Sequence, residues 1–174
     1  MKTSHLFVSL TACTVVACMP ARIAFAQHEH GEPSQHAQHQ AAEGAVGQLK
    51  LNGTAKWATD ASLREGMANI RAAFDADHPA IHAGKQSDAA YAALATRIDQ
   101  QVKSIVANCR LPAEADANLH FVIADLLQGV SIMRGEVPAK SRHDGAAMVH
   151  GALNAYGKFF EDPSWKPAAP MQAH

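Results

Sequence analysis

The sequence predicts an all-α protein, an up-down-up-down four-helix bundle that follows a signal peptide and a histidine-rich arm. Between residues 58 and 162, apolar side chains recur at steps of three and four in four separate stretches, which is the period of an amphipathic helix. Proline, glycine or capping residues separate the stretches, and the links between them are short. Because short links make successive helices antiparallel neighbours, these observations together predict the bundle.

The chain begins like a bacterial secretory signal peptide. Lys2 starts a charged region, residues 6–16 form a short apolar run, and residues 24–26 (Ala-Phe-Ala) fit a cleavage site. The apolar run is too short to span a membrane as a helix. We therefore expect a secreted, periplasmic protein. The alternative is a lipoprotein signal, in which residues 15–18 end at a lipidated Cys18 and a lipid anchors the chain to the membrane.

Cleavage after Ala26 would remove 26 of the 174 residues and leave 148, enough for one domain with a core. It would also remove Lys2 and Arg22 but no acidic residue, so the formal net charge would move from −1 to −3. This balance leaves no basic patch and argues against nucleic acid as a partner. Cys109 would be the only cysteine left, which excludes an intramolecular disulfide. We expect Cys109 to be a small buried side chain, with a metal thiolate or an intermolecular disulfide as alternatives.

Histidines crowd the segment that cleavage would expose. Residues 27–57 have no sustained apolar period and predict an arm that is disordered or loosely docked, with Trp57 as an anchor on the bundle. The four histidines of this arm are His28, His30, His36 and His39. Such tracts bind borderline divalent ions weakly, and with no thioether beside them they favour Cu(II), Zn or Ni over Cu(I). The alternative is a polar linker that binds no metal.

The first two helices follow from their caps and apolar stripes. Thr59 or Asp60 would cap the first helix, and residues 77–85, which contain Pro79 and Gly84, would end it. Ser87 or Asp88 would start the second helix. The stripes are Leu63, Met67, Ile70 and Phe74 in the first helix and Tyr91, Leu94, Ile98, Val102, Ile105 and Cys109 in the second.

The last two helices are bounded by proline and serine. Pro112 suits the first position of the third helix, and residues 135–140 predict the turn that follows it. Ser141 would cap the fourth helix, which Asp162 and Pro163 would stop, leaving residues 163–174 as a proline-rich tail. The stripes are Leu119, Val122, Ile123, Leu126, Leu127, Val130 and Met133 in the third helix and Val149, Leu153, Tyr156 and Phe160 in the fourth.

Residues 60–67 read Asp-Ala-Ser-Leu-Arg-Glu-Gly-Met, and residues 154–156 read Asn-Ala-Tyr. In a secreted bundle of this length, these two segments resemble the soluble periplasmic b-type cytochromes. In that family the haem iron lies between a methionine of the first helix and a histidine of the last. The resemblance places the methionine on Met67, but Gly157 stands where the family has its axial histidine. It therefore implies the bundle without haem, and we expect a colourless protein.

A looser resemblance covers much of the helical region. Residues 115–120 (Ala-Asp-Ala-Asn-Leu-His) and 153–160 (Leu-Asn-Ala-Tyr-Gly-Lys-Phe-Phe) resemble small proteobacterial secreted proteins labelled DnrO. That resemblance implies no mechanism. The sequence also lacks the Cys-x-x-Cys-His, Glu-x-x-His and His-Glu-x-x-His motifs and a phosphate-binding glycine loop. Its carboxylates mostly lie off the apolar stripes, so we expect no catalytic site and no enzyme.

Bundle topology gathers candidate metal ligands at both ends. At one end, His78 and His82 would share a helix face, and His143 would supply a third imidazole, a set that suits Zn, Cu or Ni. The candidate ligands at the opposite end are Met67, Cys109 and His120. This second set would suit Cu(I). The alternative for both ends is ordinary packing, with solvated histidines and a methionine that fills the core.

These observations predict a secreted, non-enzymatic protein that binds or buffers copper or zinc through its histidine-rich arm. The metal ion would be its principal partner, and the bundle would be a monomer or a weak dimer. A haem-binding bundle is one alternative, and the other is a structural or interaction module of the cell envelope. In the latter case the bundle would bind another envelope protein and the arm would be only a spacer.

Overall fold

The computed structural model describes residues 44–167, and four helices dominate this part of the chain. The helices are α1, Ala61–His82; α2, Asp88–Asn108; α3, Ala113–Arg134; and α4, Arg142–Phe159. A short 3₁₀ helix, Ala45–Gln48, precedes them, and β-structure in the described residues is limited to isolated bridges. Successive helices pack against each other and α4 also contacts α1, which closes the bundle. The predicted all-α four-helix bundle is confirmed.

The core contains the apolar stripes that the sequence predicts. Nearly all stripe residues are buried, and they form one continuous cluster between the four helices. Leu127 differs from the prediction, because 39 % of its surface is exposed at the outer edge of α3. Cys109 is half-buried, less than expected, because it follows the last residue of α2. None of the four helices is long and apolar enough to cross a membrane.

Side-chain caps fix the starts of three helices. Asp60, Ser87 and Ser141 are the capping residues of α1, α2 and α4. One Asp60 carboxylate oxygen accepts the Leu63 N–H at 2.7 Å, and the other accepts the Arg110 N–H at 2.6 Å. Burial alone would raise the pKa of Asp60, but these two N–H groups, together with the Cys109 thiol and the charge of Arg64, outweigh it and lower the pKa. Asp60 thus joins the start of α1 to the link between α2 and α3.

The first helix ends within the predicted break, residues 77–85, but Pro79 does not end it. Instead, α1 continues through Pro79 to His82, and the turn follows at Gly84, which has a φ of 64°. A proline inside a helix removes one hydrogen bond and crowds the carbonyl four residues earlier. The additional turn, however, buries Ile81 completely. Burial of a side chain of that size stabilises by about 1.5–3 kcal/mol, which is comparable with the cost of the proline.

Residues 44–57 are packed on the bundle, so of the two predictions for the 27–57 arm, disordered or loosely docked, the disordered one is wrong for this stretch. Leu49 and Trp57 are buried, and Trp57 pairs with Phe160 in a parallel bridge. The predicted role of Trp57 as an anchor is therefore confirmed. Much of the attachment is made by backbone hydrogen bonds, which leave no apolar period in the sequence. Residues 27–43 lie outside the described part of the chain.

The first residues of the predicted tail also pack on the bundle. The Trp165 indole packs edge-on against the Tyr156 ring, with ring centroids 4.7 Å apart. It also lies against Gly157, where an added Cβ atom would overlap the indole. Arg71 lies over the same indole and donates hydrogen bonds to the carbonyls of residues 166 and 167. Residues 163–167 thus cover part of α1 and α4, and residues 168–174 lie outside the described range.

Candidate functional site

A line of aromatic rings crosses from α4 to α1 and ends on two histidines. The ring of His150 stacks on Phe74 with centroids 5.9 Å apart, Phe74 lies 6.0 Å from His78, and His78 lies 5.8 Å from His82. Because α1 and α4 run in opposite directions and rise equally per residue, the Phe74–His150 contact places His143 level with Ile81. His78 and His82 flank that level within one turn. We call His78, His82, His143 and His150 the histidine seam.

The seam contains a buried imidazole nitrogen that has no partner among the described residues. All four histidines are half-buried. The Nε2 atom of His78 is shielded from solvent and has no hydrogen-bond partner within residues 44–167, and the Nε2 atom of His143 is likewise shielded. A buried polar atom without a partner costs about 1–3 kcal/mol. Such an atom is suited to a ligand that supplies the missing contact.

His78 and His82 have the spacing of two imidazoles on one metal ion. A metal–nitrogen bond of about 2.0–2.1 Å puts the ring centroid about 3.2 Å from the ion, so two ligands at tetrahedral or wider angles have centroids about 5–6 Å apart. The observed 5.8 Å falls in this range. Within residues 44–167, no three His, Cys, Asp or Glu side chains are already grouped to hold a metal. Of the predicted ligands His78, His82 and His143, the structure therefore brings the first two to ligand spacing.

The opposite set of predicted ligands is only partly brought together. Cys109 and His120 line one surface cavity of about 210 Å³ between α2 and α3. Met67 does not line that cavity and is fully enclosed in the core. His120 is exposed, and its Nδ1 atom lies 2.8 Å from the carbonyl oxygen of Asp116. The geometry of Met67 is that of a core side chain.

The surroundings of Cys109 keep its thiol protonated. Burial and the nearby carboxylates of Asp60 and Asp116 raise the pKa of Cys109 to about 11. Because the thiolate is the reactive form, we expect alkylation of Cys109 at pH 8 to be on the order of a hundredfold slower in the folded protein than after unfolding. The measurement is iodoacetamide labelling of a Cys13→Ser/Cys18→Ser variant, in which Cys109 is the single thiol. Similar rates before and after unfolding would contradict the protected thiol.

The residues at the level of Met67 do not fit a haem group with methionine and histidine ligands. The register of α1 and α4 places Gly157 level with Met67, and the Trp165 indole covers Gly157. The nearest imidazole along α4 is His150, seven residues or about 10 Å away. An axial histidine therefore has no counterpart at this level of α4.

Two features of the site were not predicted as parts of it, and four predicted ligands are not described. The sequence places His150 on one flank of α4 with His143, seven residues away, but a solvated edge explains that pattern equally well, and His150 was not predicted as a ligand. The buried carboxylate of Asp125, which holds residues 45 and 46, was also missed and left no signal beyond a charge next to an apolar stripe. The predicted arm ligands His28, His30, His36 and His39 lie outside the described residues.

Fold and site together define a four-helix bundle with a histidine seam between its first and last helices. Comparisons with protein-family models, with curated proteins and with solved structures find no match to this chain.

Proposed function

We propose that this protein is a non-enzymatic metal-binding protein of the periplasm that takes a borderline divalent ion, Zn(II) or Cu(II). His78 and His82 are the first two ligands, and His143 joins them by rotation of its side chain. The histidines of the arm capture ions and supply them to the bundle. The observation that carries this proposal is the shielded Nε2 atom of His78, which has no described partner and lies beside His82 at ligand spacing.

The donor set selects the class of ion. Neutral imidazole suits Zn, Cu and Ni, whereas Mg and Ca require carboxylate and carbonyl oxygens. A Cu(I) site is less well supported, because Met67 is enclosed in the core and the thiol of Cys109 has a raised pKa. The half-buried seam keeps bulk water away from part of the ion while its exposed side allows entry.

We expect the full chain to bind Zn(II) at pH 7.5, and His78→Ala/His82→Ala to weaken the tightest site by at least tenfold. Loss of a residue that merely orients a ligand already costs about 10–100-fold in metal affinity, so loss of two ligands costs no less. Isothermal titration calorimetry with Zn(II) and with Cu(II) measures this. Because imidazole must be deprotonated to bind a metal ion, binding should also weaken in acid.

His120→Ala is the matched control, because it removes an exposed histidine of α3 outside the seam. We expect its affinity to stay within twofold of that of the unaltered chain. Equal losses in the seam variant and in His120→Ala would contradict the assignment of the ligands. Failure of the unaltered chain to bind either ion would contradict the proposed function.

One observation favours the interaction module as a second candidate. Val106 of α2 is 65 % exposed and lines the cavity between α2 and α3 together with Ile123 of α3. Leu127, which is also exposed, follows Ile123 by one turn of α3. Exposed apolar side chains that lie close together are typical of a surface that binds another protein. If the chain binds no metal, a polar substitution such as Val106→Ser tests this surface: the interaction function requires that co-purification of an envelope partner is lost.

A further inference from the structure

Asp125 is a buried carboxylate that no cation of the described residues neutralises. Only 5 % of the residue is exposed, and its two oxygens accept the Ala45 N–H at 2.6 Å and the Val46 N–H at 3.1 Å. Both donors are neutral, and the ion pairs formed within residues 44–167 do not include Asp125. Burial of a charge is costly unless a charge of opposite sign pairs with it. Asp125 is therefore suited to a ligand that carries a positive charge.

This carboxylate lines a cavity of about 310 Å³ between α3 and α4. Asp125 and Ile132 are both on its wall and are seven residues apart, so the cavity follows α3 for about 10 Å. Ala147 and Gly151 are on the α4 side of the wall and are exposed, so the cavity opens to solvent. At Gly44 an added Cβ atom would collide with the Oδ2 atom of Asp125. The missing side chain of Gly44 thus leaves space beside the carboxylate.

The rest of the wall is largely apolar, and the end away from Asp125 is close to neutral. The apolar side chains on the wall are those of Val46, Ile132, Ala147 and Met148. Because α3 and α4 are antiparallel, Lys140 and Asp144 lie at the Ile132 end, where their opposite charges offset each other. The Asp144 carboxylate also accepts the N–H and O–H of Ser141 at 2.7 and 2.8 Å. The negative charge that lacks a counter-charge is therefore at the Asp125 end.

We propose that this cavity binds a short aliphatic amine in its ammonium form, with the ammonium group at Asp125 and the alkyl chain along the apolar wall. An ammonium group donates hydrogen bonds, and each Asp125 oxygen retains a lone pair after accepting one N–H. An alkyl chain of about five carbons fits within a cavity about 10 Å long. The seam histidines do not line this cavity, so the site goes beyond the proposed metal-binding function.

The charge of the ligand should decide whether it binds. A hydrogen bond from an ammonium group to a carboxylate is roughly twice as strong as one between neutral groups. An alcohol of the same length would keep the apolar contacts but lose the attraction between charges. A fatty acid anion of the same length would be repelled by Asp125. We therefore expect n-pentylammonium to bind more tightly than 1-pentanol, and pentanoate to bind least.

The test is a titration of the full chain with n-pentylammonium, followed by two-dimensional amide NMR spectra. We expect saturable shifts of the Ala45 and Val46 signals, because their N–H groups share Asp125 with the ligand. Half-saturation should fall on the order of millimolar for so small a ligand. With 1-pentanol we expect at least roughly tenfold weaker binding, since the charge-assisted hydrogen bond is lost.

Two variants test the carboxylate and the cavity separately. Asp125→Asn keeps an acceptor for one N–H but removes the charge, and we expect it to weaken binding of n-pentylammonium by roughly tenfold or more. Ala147→Phe leaves Asp125 intact and fills the cavity, so the saturable shifts should disappear. The matched control is Ala93→Phe, which alters an exposed alanine of α2 outside the cavity. Its affinity should stay within twofold of that of the unaltered chain.

Three results would overturn this inference. The first is the absence of saturable shifts in the unaltered chain, and the second is equal binding of n-pentylammonium and 1-pentanol. The third is unchanged binding in both Asp125→Asn and Ala147→Phe. The metal site is tested independently, because His78→Ala/His82→Ala leaves every residue of the cavity wall in place and should bind n-pentylammonium within twofold of the unaltered chain.

Discussion

Gly145→Ala should destabilise the bundle by about 2 kcal/mol, although alanine is the better helix former. Gly145 faces α3, where a Cβ atom would lie 2.7 Å from the carbonyl oxygen of Gly129 and 2.8 Å from the Met133 nitrogen. Both are backbone atoms, so no side chain can rotate to make room. The two helices would have to separate at their closest contact, which would loosen the packing of Val149 beside it. Equilibrium urea unfolding followed by circular dichroism measures the loss.

Gly151→Ala is the control on the same helix. No atom lies within 4 Å of a Cβ added at Gly151, so only the intrinsic preference changes, and we expect stabilisation by about 0.5–1 kcal/mol. The two substitutions are chemically identical, and their opposite signs isolate the contact between α3 and α4. Equal effects of the same sign would show that the close approach at Gly145 does not hold the helices together.

The architecture was predictable because it depends on a repeated local signal. Each stripe of apolar residues has the period of a helix, and each helix boundary carries its own residue chemistry, such as Ser141 with Asp144 three residues later. Pro79 misled the prediction because the rule for proline is local, whereas Ile81 gains its stability from the distant residues around it. Tertiary burial outweighed the local preference there.

The candidate site was predictable only where its residues are neighbours along one helix. His78 and His82 are four residues apart, a spacing that places them on one face and that the structure confirms. The position of His150 beside Phe74 depends on the register between α1 and α4, which no pattern within either helix specifies. The contacts of Asp125 with residues 45 and 46 bridge about 80 positions, and the sequence carries no signal for such a pairing.

Trp57→Ala should cost about 3 kcal/mol of unfolding free energy, at the low end of the range for removal of a buried tryptophan. Trp57 is 8 % exposed and packs in the core cluster, and its Nε1–H donates to the Lys50 carbonyl at 2.6 Å. Its backbone also donates to the Phe159 carbonyl and accepts from the Glu161 N–H, each at 2.8 Å. The side chain therefore holds the segment that contains Lys50 and Trp57 against the core, and the backbone of Trp57 joins this segment to the end of α4.

Trp57→Phe separates the two contributions of this side chain. Phenylalanine keeps most of the apolar surface but leaves the Lys50 carbonyl without its donor, which should cost about 1 kcal/mol. Urea unfolding monitored by circular dichroism gives both values, and the fluorescence of Trp165 reports independently on the end of α4. An unchanged stability in Trp57→Ala would mean that residues 44–57 rest on the bundle without stabilising it. The part of the chain that contributes to the stability of the fold would then begin at residue 58, where the apolar periodicity of the sequence begins.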